Sequence, residues 1–150
     1  MSDASLAEID DRFVLCGPGD EVTVEFDAAG LPPLMVATDQ EGGIVSHLAP
    51  PLTRLPALAS LAELAPDERK AKAEEFGRIH GRELASLGIN LNFAPVLDLR
   101  PEAKRNQLDF NTLTNQRAIS DDPAKVSAVA GAYIHGLESA GVSATVKHFP

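Results

Sequence analysis

The chain has 150 residues, enough for one domain with a sizeable core, and its 44% hydrophobic and 23% charged residues are typical of a globular protein. The formal net charge of −9 argues against binding a nucleic-acid backbone, and the absence of Trp argues against a surface on which bases stack. We see no apolar run of about 20 residues and no export signal, so we expect a cytoplasmic protein without a membrane partner. Cys16 is the single cysteine, which excludes an internal disulfide.

The sequence predicts a boundary near residue 28. Residues 1–27 are poorly assigned, apart from an alternation of apolar and polar side chains from Val22 to Phe26 that is typical of a half-exposed strand. Residues 28–150 carry the remaining signals and form the second region.

From residue 34 onwards the chain alternates strand and helix. Short apolar runs predict buried strands at residues 34–38, 89–96 and 142–146. Two segments between them have helical signatures, with Pro at the first helical position and Gly at the stop: Pro66 to Gly88 and Pro123 to Gly141. Because helices connect the strands, this order predicts a parallel sheet with right-handed crossovers.

Helical spacing assigns an apolar face to the first helix. We expect this inner face to consist of Phe76, Ile79, Leu84 and Leu87. His80 falls within the same helix and is interpreted as a surface or half-buried residue. The histidines show no metal-ligand spacing, so we expect no metal and no other cofactor.

Charged or imidazole side chains follow two of the predicted strands. Asp39 comes directly after residues 34–38, and Lys147 and His148 follow residues 142–146. Ligands bind at the carboxyl ends of parallel strands, where a carboxylate, an ammonium group and an imidazole can all bind sugar hydroxyls. Two alternatives stay open. Asp39 could be a turn or cap residue, and the second strand could already have reached solvent at Lys147.

A long polar loop is predicted between residues 99 and 121. Arg117 lies near its end, where a guanidinium could reach over the strand ends and bind an oxygen-rich ligand, although a surface arginine is the simpler interpretation. Glu41 and Asp98 also lie near strand ends, and a direct role is the lesser of two interpretations for each.

Regular strand geometry would separate Lys147 from His148, because successive side chains point to opposite faces. If both serve one pocket, the backbone must bulge, twist sharply or adopt an unusual peptide conformation at residues 147–149. We also expect Asp39 and Arg117 to converge with this pair at one edge of the sheet.

In their order along the chain, these motifs resemble the N-terminal domain of family 3 glycoside hydrolases, in its β-N-acetylhexosaminidase-like branch. The resemblance covers about residues 30–150. It rests on Asp39-Gln40-Glu41-Gly42-Gly43, Leu55-Pro56, the run from Asn92 to Asp98, Arg117 before Ser120-Asp121-Asp122-Pro123, and Lys147-His148-Phe149-Pro150.

The resemblance implies an α/β fold, part of a (β/α)8 TIM-type barrel with parallel strands that is incomplete in this chain. It implies retaining hydrolysis of terminal β-linked N-acetylglucosamine, with a carbohydrate as the partner. Asp39, Arg117, Lys147 and His148 match positions that bind sugar hydroxyls in such enzymes. The nucleophile and the general acid/base of such enzymes lie beyond residue 150, so no catalytic residue is expected within this chain.

Two other interpretations of the function stay open at this point. The chain could be a non-catalytic sugar-binding remnant, or an unrelated α/β interaction domain. We further expect self-association, because a few parallel strands leave an uncovered edge and face.

Overall fold

The computed structural model describes the strand backbones at residues 12–16 and 21–25, and all of residues 34–100 and 113–148. The chain divides into two compact units, Met1–Leu34 and Met35–Pro150.

The first unit contains an antiparallel pair of strands. These are β1 (Arg12–Cys16) and β2 (Glu21–Glu25), with Arg12 opposite Glu25 and Cys16 opposite Glu21. The predicted strand from Val22 is therefore confirmed as far as Glu25, and Phe26 lies outside the described residues.

The second unit has two long helices and several short strands. In chain order it contains β3 (Ala37–Thr38), β4 (Gln40–Gly42), β5 (Val45–Ser46), a 3₁₀ turn (Leu58–Leu61), α1 (Pro66–Ser86), β6 (Leu91–Asn92), α2 (Thr114–Arg117), α3 (Pro123–Glu138) and β7 (Ser143–Ala144). No helix in the described part of the chain is long and apolar enough to cross a membrane.

The central sheet is parallel, in the order β3–β6–β7. Thr38 pairs with Asn92, and Asn92 pairs with Ala144. A further parallel bridge joins Val96 to Lys147. The predicted strand–helix–strand–helix–strand order with parallel strands is thus confirmed, although each strand is shorter than the apolar run that predicted it.

An asparagine side chain takes part in the pairing at the start of β6. Val36 N donates to Asn90 Oδ1 (2.9 Å), while Asn90 N and Leu91 N both donate to Val36 O (3.1 Å each). A side-chain amide therefore replaces one backbone partner there, which helps to explain why the regular ladder begins late.

Both helices begin and end as predicted. In α3, Asp122 caps the start by accepting a hydrogen bond from Ala124 N (2.8 Å). Gly88 and Gly141 follow the two helices with φ of 74° and 83°, a conformation that glycine adopts without a steric cost.

The helices cross at a point where glycines replace side chains. A Cβ added to Gly77 would lie 2.1 Å from Tyr133 O, and one added to Gly136 would lie 2.1 Å from Glu74 O. Two glycines therefore let the backbones of α1 and α3 touch. The core around this crossing includes Phe76, Leu84, Val126, Val129, Tyr133 and Leu137.

Two residues, one within α1 and one just after its end, are not where the predicted apolar face would put them. Leu87 is 47% exposed because the helix has already ended at Ser86. His80 is fully buried rather than at the surface, because it lies four residues from both Phe76 and Leu84 on the inner stripe.

The first predicted strand is also less buried than expected. Leu34 is 37% exposed and Met35 is 73% exposed, whereas Val36 packs against the core. Alternation accounts for Met35, because its side chain points to the face opposite that of the adjacent Val36.

The predicted polar loop between residues 99 and 121 contains a short helix, α2. Residues 101–112 lie outside the described residues. Arg100 joins the two described ends of this loop. Its backbone N donates to Ser120 O (2.9 Å), and its guanidinium donates to Ala118 O and Ile119 O.

Candidate functional site

Charged and imidazole side chains from three parts of the second unit meet beyond the carboxyl ends of the parallel strands. Asp39 follows β3, Arg117 ends α2, and Lys147 and His148 follow β7. Lys147 Nζ contacts Asp39 Oδ1, and Arg117 Nη2 lies 3.3 Å from His148 Nε2. The predicted convergence of these four residues is confirmed. Together with two further acids they form the strand-end cluster: Asp39, Glu41, Asp98, Arg117, Lys147 and His148.

Glu41 is the centre of the strand-end cluster. Its carboxylate accepts two hydrogen bonds from Arg117, from Nε at 2.9 Å and from Nη2 at 2.6 Å, which is the bidentate geometry that suits a guanidinium. Lys147 Nζ lies 2.6 Å from the same carboxylate. Only 6% of the Glu41 side chain is exposed, so this acid binds the two cations from the buried side of the cluster and does not face solvent.

The pairing with Glu41 fixes the charge of Arg117. Hydrogen bonds to Glu41 raise the pKa of the guanidinium, and the nearby carboxylates of Asp39 and Asp98 act in the same direction. Partial burial lowers the pKa, but by less than the hydrogen bonds to Glu41 raise it. Arg117 is therefore a permanent cation at this site.

The contacts of His148 give its two ring nitrogens different hydrogen-bonding roles. Nε2 faces the Arg117 guanidinium, which can only donate hydrogen bonds, so Nε2 must accept. Nδ1 lies 2.6 Å from Asp98 Oδ2 and carries the proton that this carboxylate accepts. Asp98 also accepts a bond from His148 N (3.2 Å), so this acid positions both the backbone and the ring.

The backbone at Lys147 is held by the chain that follows β6. Lys147 N donates to Pro95 O (3.2 Å), and Leu97 N donates to Lys147 O (2.6 Å). The Lys147–His148 peptide is cis, so the predicted unusual peptide conformation is confirmed. The side chains of both residues contact the strand-end cluster. Phe149 lies outside the described residues.

Sequence reasoning undervalued two members of the cluster. From the sequence a direct role is the lesser interpretation for Glu41 and Asp98, yet they make the contacts that orient both basic residues and the imidazole. The available signal for Glu41 was its position two residues after Asp39, which places both acids on the same side of an extended segment.

A second network of hydrogen bonds, which was not predicted, is buried next to the strand-end cluster. Asn92 makes two hydrogen bonds to the backbone of Gln40 and one to Tyr133 Oη, which in turn lies 3.1 Å from His80 Nδ1. Burial lowers the pKa of His80 to about 4 and raises the pKa of Tyr133. Both side chains are therefore neutral at pH 7.

The described side chains include no group of three or more His, Cys, Asp or Glu that could hold a metal ion. Each carboxylate of the cluster instead has a nitrogen group as its partner. This arrangement can donate hydrogen bonds from the basic groups and accept them at the carboxylates, which are the two contacts that a hydroxyl group makes.

Comparison with curated proteins identifies relatives over most of the chain. A β-hexosaminidase of Idiomarina loihiensis is 34% identical over 131 residues, which is 87% of this chain and 37% of that protein. A β-hexosaminidase of Pseudomonas aeruginosa is 39% identical over 119 residues, which is 79% of this chain and 33% of that protein. The chain thus spans about a third of the length of these relatives.

Solved structures give the same relationship. A glycosyl hydrolase of the GH3 family from Mycobacterium smegmatis matches 79% of this chain and 34% of its own, with a TM-score of 0.66 and 37% identity. NagZ from Neisseria gonorrhoeae, solved in complex with N-trifluoroacetyl-D-glucosamine, matches 79% of this chain and 34% of its own, with a TM-score of 0.69 and 32% identity. The family model of the glycosyl hydrolase family 3 N terminal domain matches residues 21–150, and the chain belongs to this family.

Proposed function

We propose that the strand-end cluster binds the terminal N-acetylglucosamine of a β-linked glycoside, as part of a retaining β-N-acetylhexosaminidase. The observation that carries the proposal is the meeting of Asp39, Arg117, Lys147 and His148 in one set of contacts beyond the parallel strands. Relatives named β-hexosaminidase, and a structural neighbour solved in complex with a glucosamine derivative, support this choice of sugar.

The chemistry of the cluster suits adjacent hydroxyls on one sugar. Asp39, whose carboxylate is 37% exposed, accepts hydrogen bonds, while Lys147 and Arg117 donate them. The planar guanidinium fixes the direction of its donors, and Glu41 fixes the guanidinium. The cluster therefore orients a sugar ring rather than reacting with it.

A retaining glycosidase also needs a nucleophile and a general acid/base on either side of the glycosidic bond. By family resemblance, both lie outside residues 1–150. This chain would then hold the sugar in position for groups supplied elsewhere, a contribution that counts because correct orientation removes part of the entropic barrier. We further propose that β3, β6 and β7 are neighbouring strands of a (β/α)8 barrel.

Binding is tested by titrating the 150-residue chain with N-acetylglucosamine and recording ligand-detected NMR. We expect saturable binding that Asp39→Asn abolishes. Asp67→Asn, the same substitution at an exposed residue in the first turn of α1, is the matched control and should bind like the wild type. Equal binding by the wild type and Asp39→Asn would refute the proposed site.

Catalysis is tested separately with the chromogenic substrate 4-nitrophenyl N-acetyl-β-D-glucosaminide. We expect no hydrolysis by residues 1–150, because the groups that react are proposed to lie elsewhere. Hydrolysis that is lost in Asp39→Asn would instead place the reaction within this chain.

The second candidate function is a non-catalytic sugar-binding module, which predicts the same sugar binding but no hydrolysis, even when the chain is extended. Supplying the remaining part of a relative's sequence, by fusion or as a separate chain, and measuring hydrolysis separates this function from the first. The third interpretation, an unrelated α/β interaction domain, is wrong because the chain belongs to a glycosyl hydrolase family.

A further inference from the structure

Asn92 takes the place of a neighbouring strand beside the segment that carries Asp39 and Glu41, two of the three acids of the strand-end cluster. It is fully buried, and Gln40 N donates to its Oδ1 (2.9 Å) while its Nδ2 donates to Gln40 O (2.8 Å). Gln40 lies between Asp39 and Glu41. The two bonds therefore fix the peptide units from which both carboxylates project.

Tyr133 fixes the orientation of the Asn92 amide. The second hydrogen of Asn92 Nδ2 is donated to Tyr133 Oη at 2.9 Å. The phenol hydrogen is then available to His80 Nδ1, 3.1 Å away, so one set of donors and acceptors runs from α1 through α3 to β6. If the amide flipped, its oxygen would face the Gln40 carbonyl and two acceptors would oppose each other.

Folding alone does not require this polar network. Aromatic and aliphatic side chains of the same size would fill the volume without burying polar groups, and such replacements are often neutral for stability. A directional set of bonds offers something that apolar packing does not, namely a single fixed position for the segment between Asp39 and Glu41.

We propose that Asn92 and Tyr133 are positioning residues for the sugar site, acting through Gln40 on Asp39 and Glu41. This inference rests on the proposed function for its biological meaning. Its structural core does not, because the position of Glu41 can be followed through its partner Arg117, whose Nε–H is bound to Glu41 at 2.9 Å.

The test uses Tyr133→Phe in the full 150-residue chain, which removes one oxygen atom and keeps the ring. We expect the affinity for N-acetylglucosamine to fall about tenfold. One hydrogen bond of ordinary strength is lost, and the Asn92 amide is then free to turn. We also expect faster hydrogen exchange at Gln40 N–H and at Arg117 Nε–H. Asn92→Asp, which places an oxygen opposite the Gln40 carbonyl, should change all three readouts further.

Val129→Ala is the matched control. Val129 is fully buried in the same helix but takes no part in the network, so its truncation destabilises the fold by a cavity and leaves the site in place. We expect it to keep sugar affinity within about twofold of the wild type, below the effect of one lost hydrogen bond, and to keep slow exchange at Arg117 Nε–H. All measurements are made where each variant is fully folded.

The outcomes separate the two proposals. If the wild type binds no sugar but Tyr133→Phe alone speeds exchange at Gln40 and Arg117, the proposed function fails and the positioning role stands. If Tyr133→Phe matches the wild type in exchange, or if Val129→Ala changes affinity and exchange as much as Tyr133→Phe does, the network is merely structural and the inference is overturned.

Discussion

The helix crossing and the strand-end cluster lie in the same unit but are held together by different forces. At the crossing, Gly77 and Gly136 bring two backbones into contact, so shape and volume decide the arrangement. In the strand-end cluster, Glu41 brings Arg117 and Lys147 together, so charge and direction decide it. The first region should respond to added atoms and the second to altered hydrogen bonds at constant size.

The largest expected effect follows from adding one carbon at the crossing. In Gly136→Ala the new Cβ would lie 2.1 Å from Glu74 O and 2.9 Å from Arg78 N, both backbone atoms that cannot rotate away. We expect the free energy of unfolding to fall by about 3 kcal/mol, as for severe overpacking. Denaturant unfolding measures the change.

Gly131→Ala is the control for this substitution. A Cβ at Gly131 would meet no atom within 4 Å, and the residue lies in the same helix. We expect a gain of up to about 1 kcal/mol, from higher helix propensity. Equal destabilisation by both substitutions would show that the crossing is not held by close contact.

The second prediction concerns pH and again tests the apolar region. Burial lowers the pKa of His80 from 6.5 to about 4, so between these pH values the unfolded chain binds a proton that the folded chain does not. Stability is therefore lost as the pH falls from 6.5 to about 4. The loss attributable to His80 is about 3 kcal/mol, at about 1.4 kcal/mol for each pKa unit.

The measurement is the free energy of unfolding at a series of pH values. His80→Gln should flatten the profile in this window, although its overall stability will be lower. His135→Gln, the same substitution at an exposed histidine of α3, is the matched control. An unchanged slope in His80→Gln would contradict the buried, neutral state of this histidine.

The third prediction breaks the charge balance of the strand-end cluster at constant size. Glu41→Gln removes the anion that binds Arg117 and Lys147 while keeping the side-chain length. We expect a loss of about 2 kcal/mol in stability, since it removes the anion that two partly buried cations share. Sugar binding should weaken as well, because Arg117 loses its bidentate anionic partner and Lys147 keeps only Asp39.

Glu75→Gln gives the matched comparison at an exposed ion pair, between Lys72 and Glu75 on α1. Solvent screens such a pair, so we expect no measurable change in stability or in sugar binding. The contrast between the two substitutions, measured by thermal and denaturant unfolding, isolates the effect of burial. If neither substitution changed stability or sugar binding, the strand-end cluster would not be held together by its charges.

The smallest expected effect concerns the exposed face and edge of the sheet. We propose that the chain self-associates weakly, since β3 is an edge of the described three-stranded sheet and Met35, two residues before β3, is 73% exposed. Met35→Lys should shift sedimentation velocity profiles toward monomer. Leu87→Lys, at an exposed apolar residue beyond α1, should not. A wild type that is monomeric at high concentration would refute this proposal.

The fold was predictable where the signals are local. Pro66 and Gly88 mark the ends of α1, and Asp122, Pro123 and Gly141 mark those of α3, because backbone geometry restricts which residues can stand there. His80 was assigned wrongly although its spacing from Phe76 gave a correct signal. A polar residue is by default predicted to be exposed, even on an apolar stripe. The partner that allows His80 to be buried, Tyr133, lies 53 residues away in the sequence.

The site was predictable only to the level of which strand ends carry charge. Asp39 and Lys147 follow apolar runs, so their convergence could be predicted from parallel topology. The role of Glu41 could not, because it depends on Arg117, which is 76 residues distant and is brought close by a helix that the sequence did not reveal. Long-range hydrogen bonds leave no periodic trace in a sequence.

The internal pairing of the strand-end cluster has a consequence for the sugars that it would tolerate. Each of its acids already contacts a basic or imidazole group, so a hydroxyl that enters exchanges with an existing partner rather than filling an empty place. When a deoxygenated sugar offers no hydroxyl, the protein groups can return to each other, and no buried charge is left unsatisfied. At such a site the loss of one sugar hydroxyl lowers the affinity less than it would at a site whose polar groups are unpaired before the ligand binds.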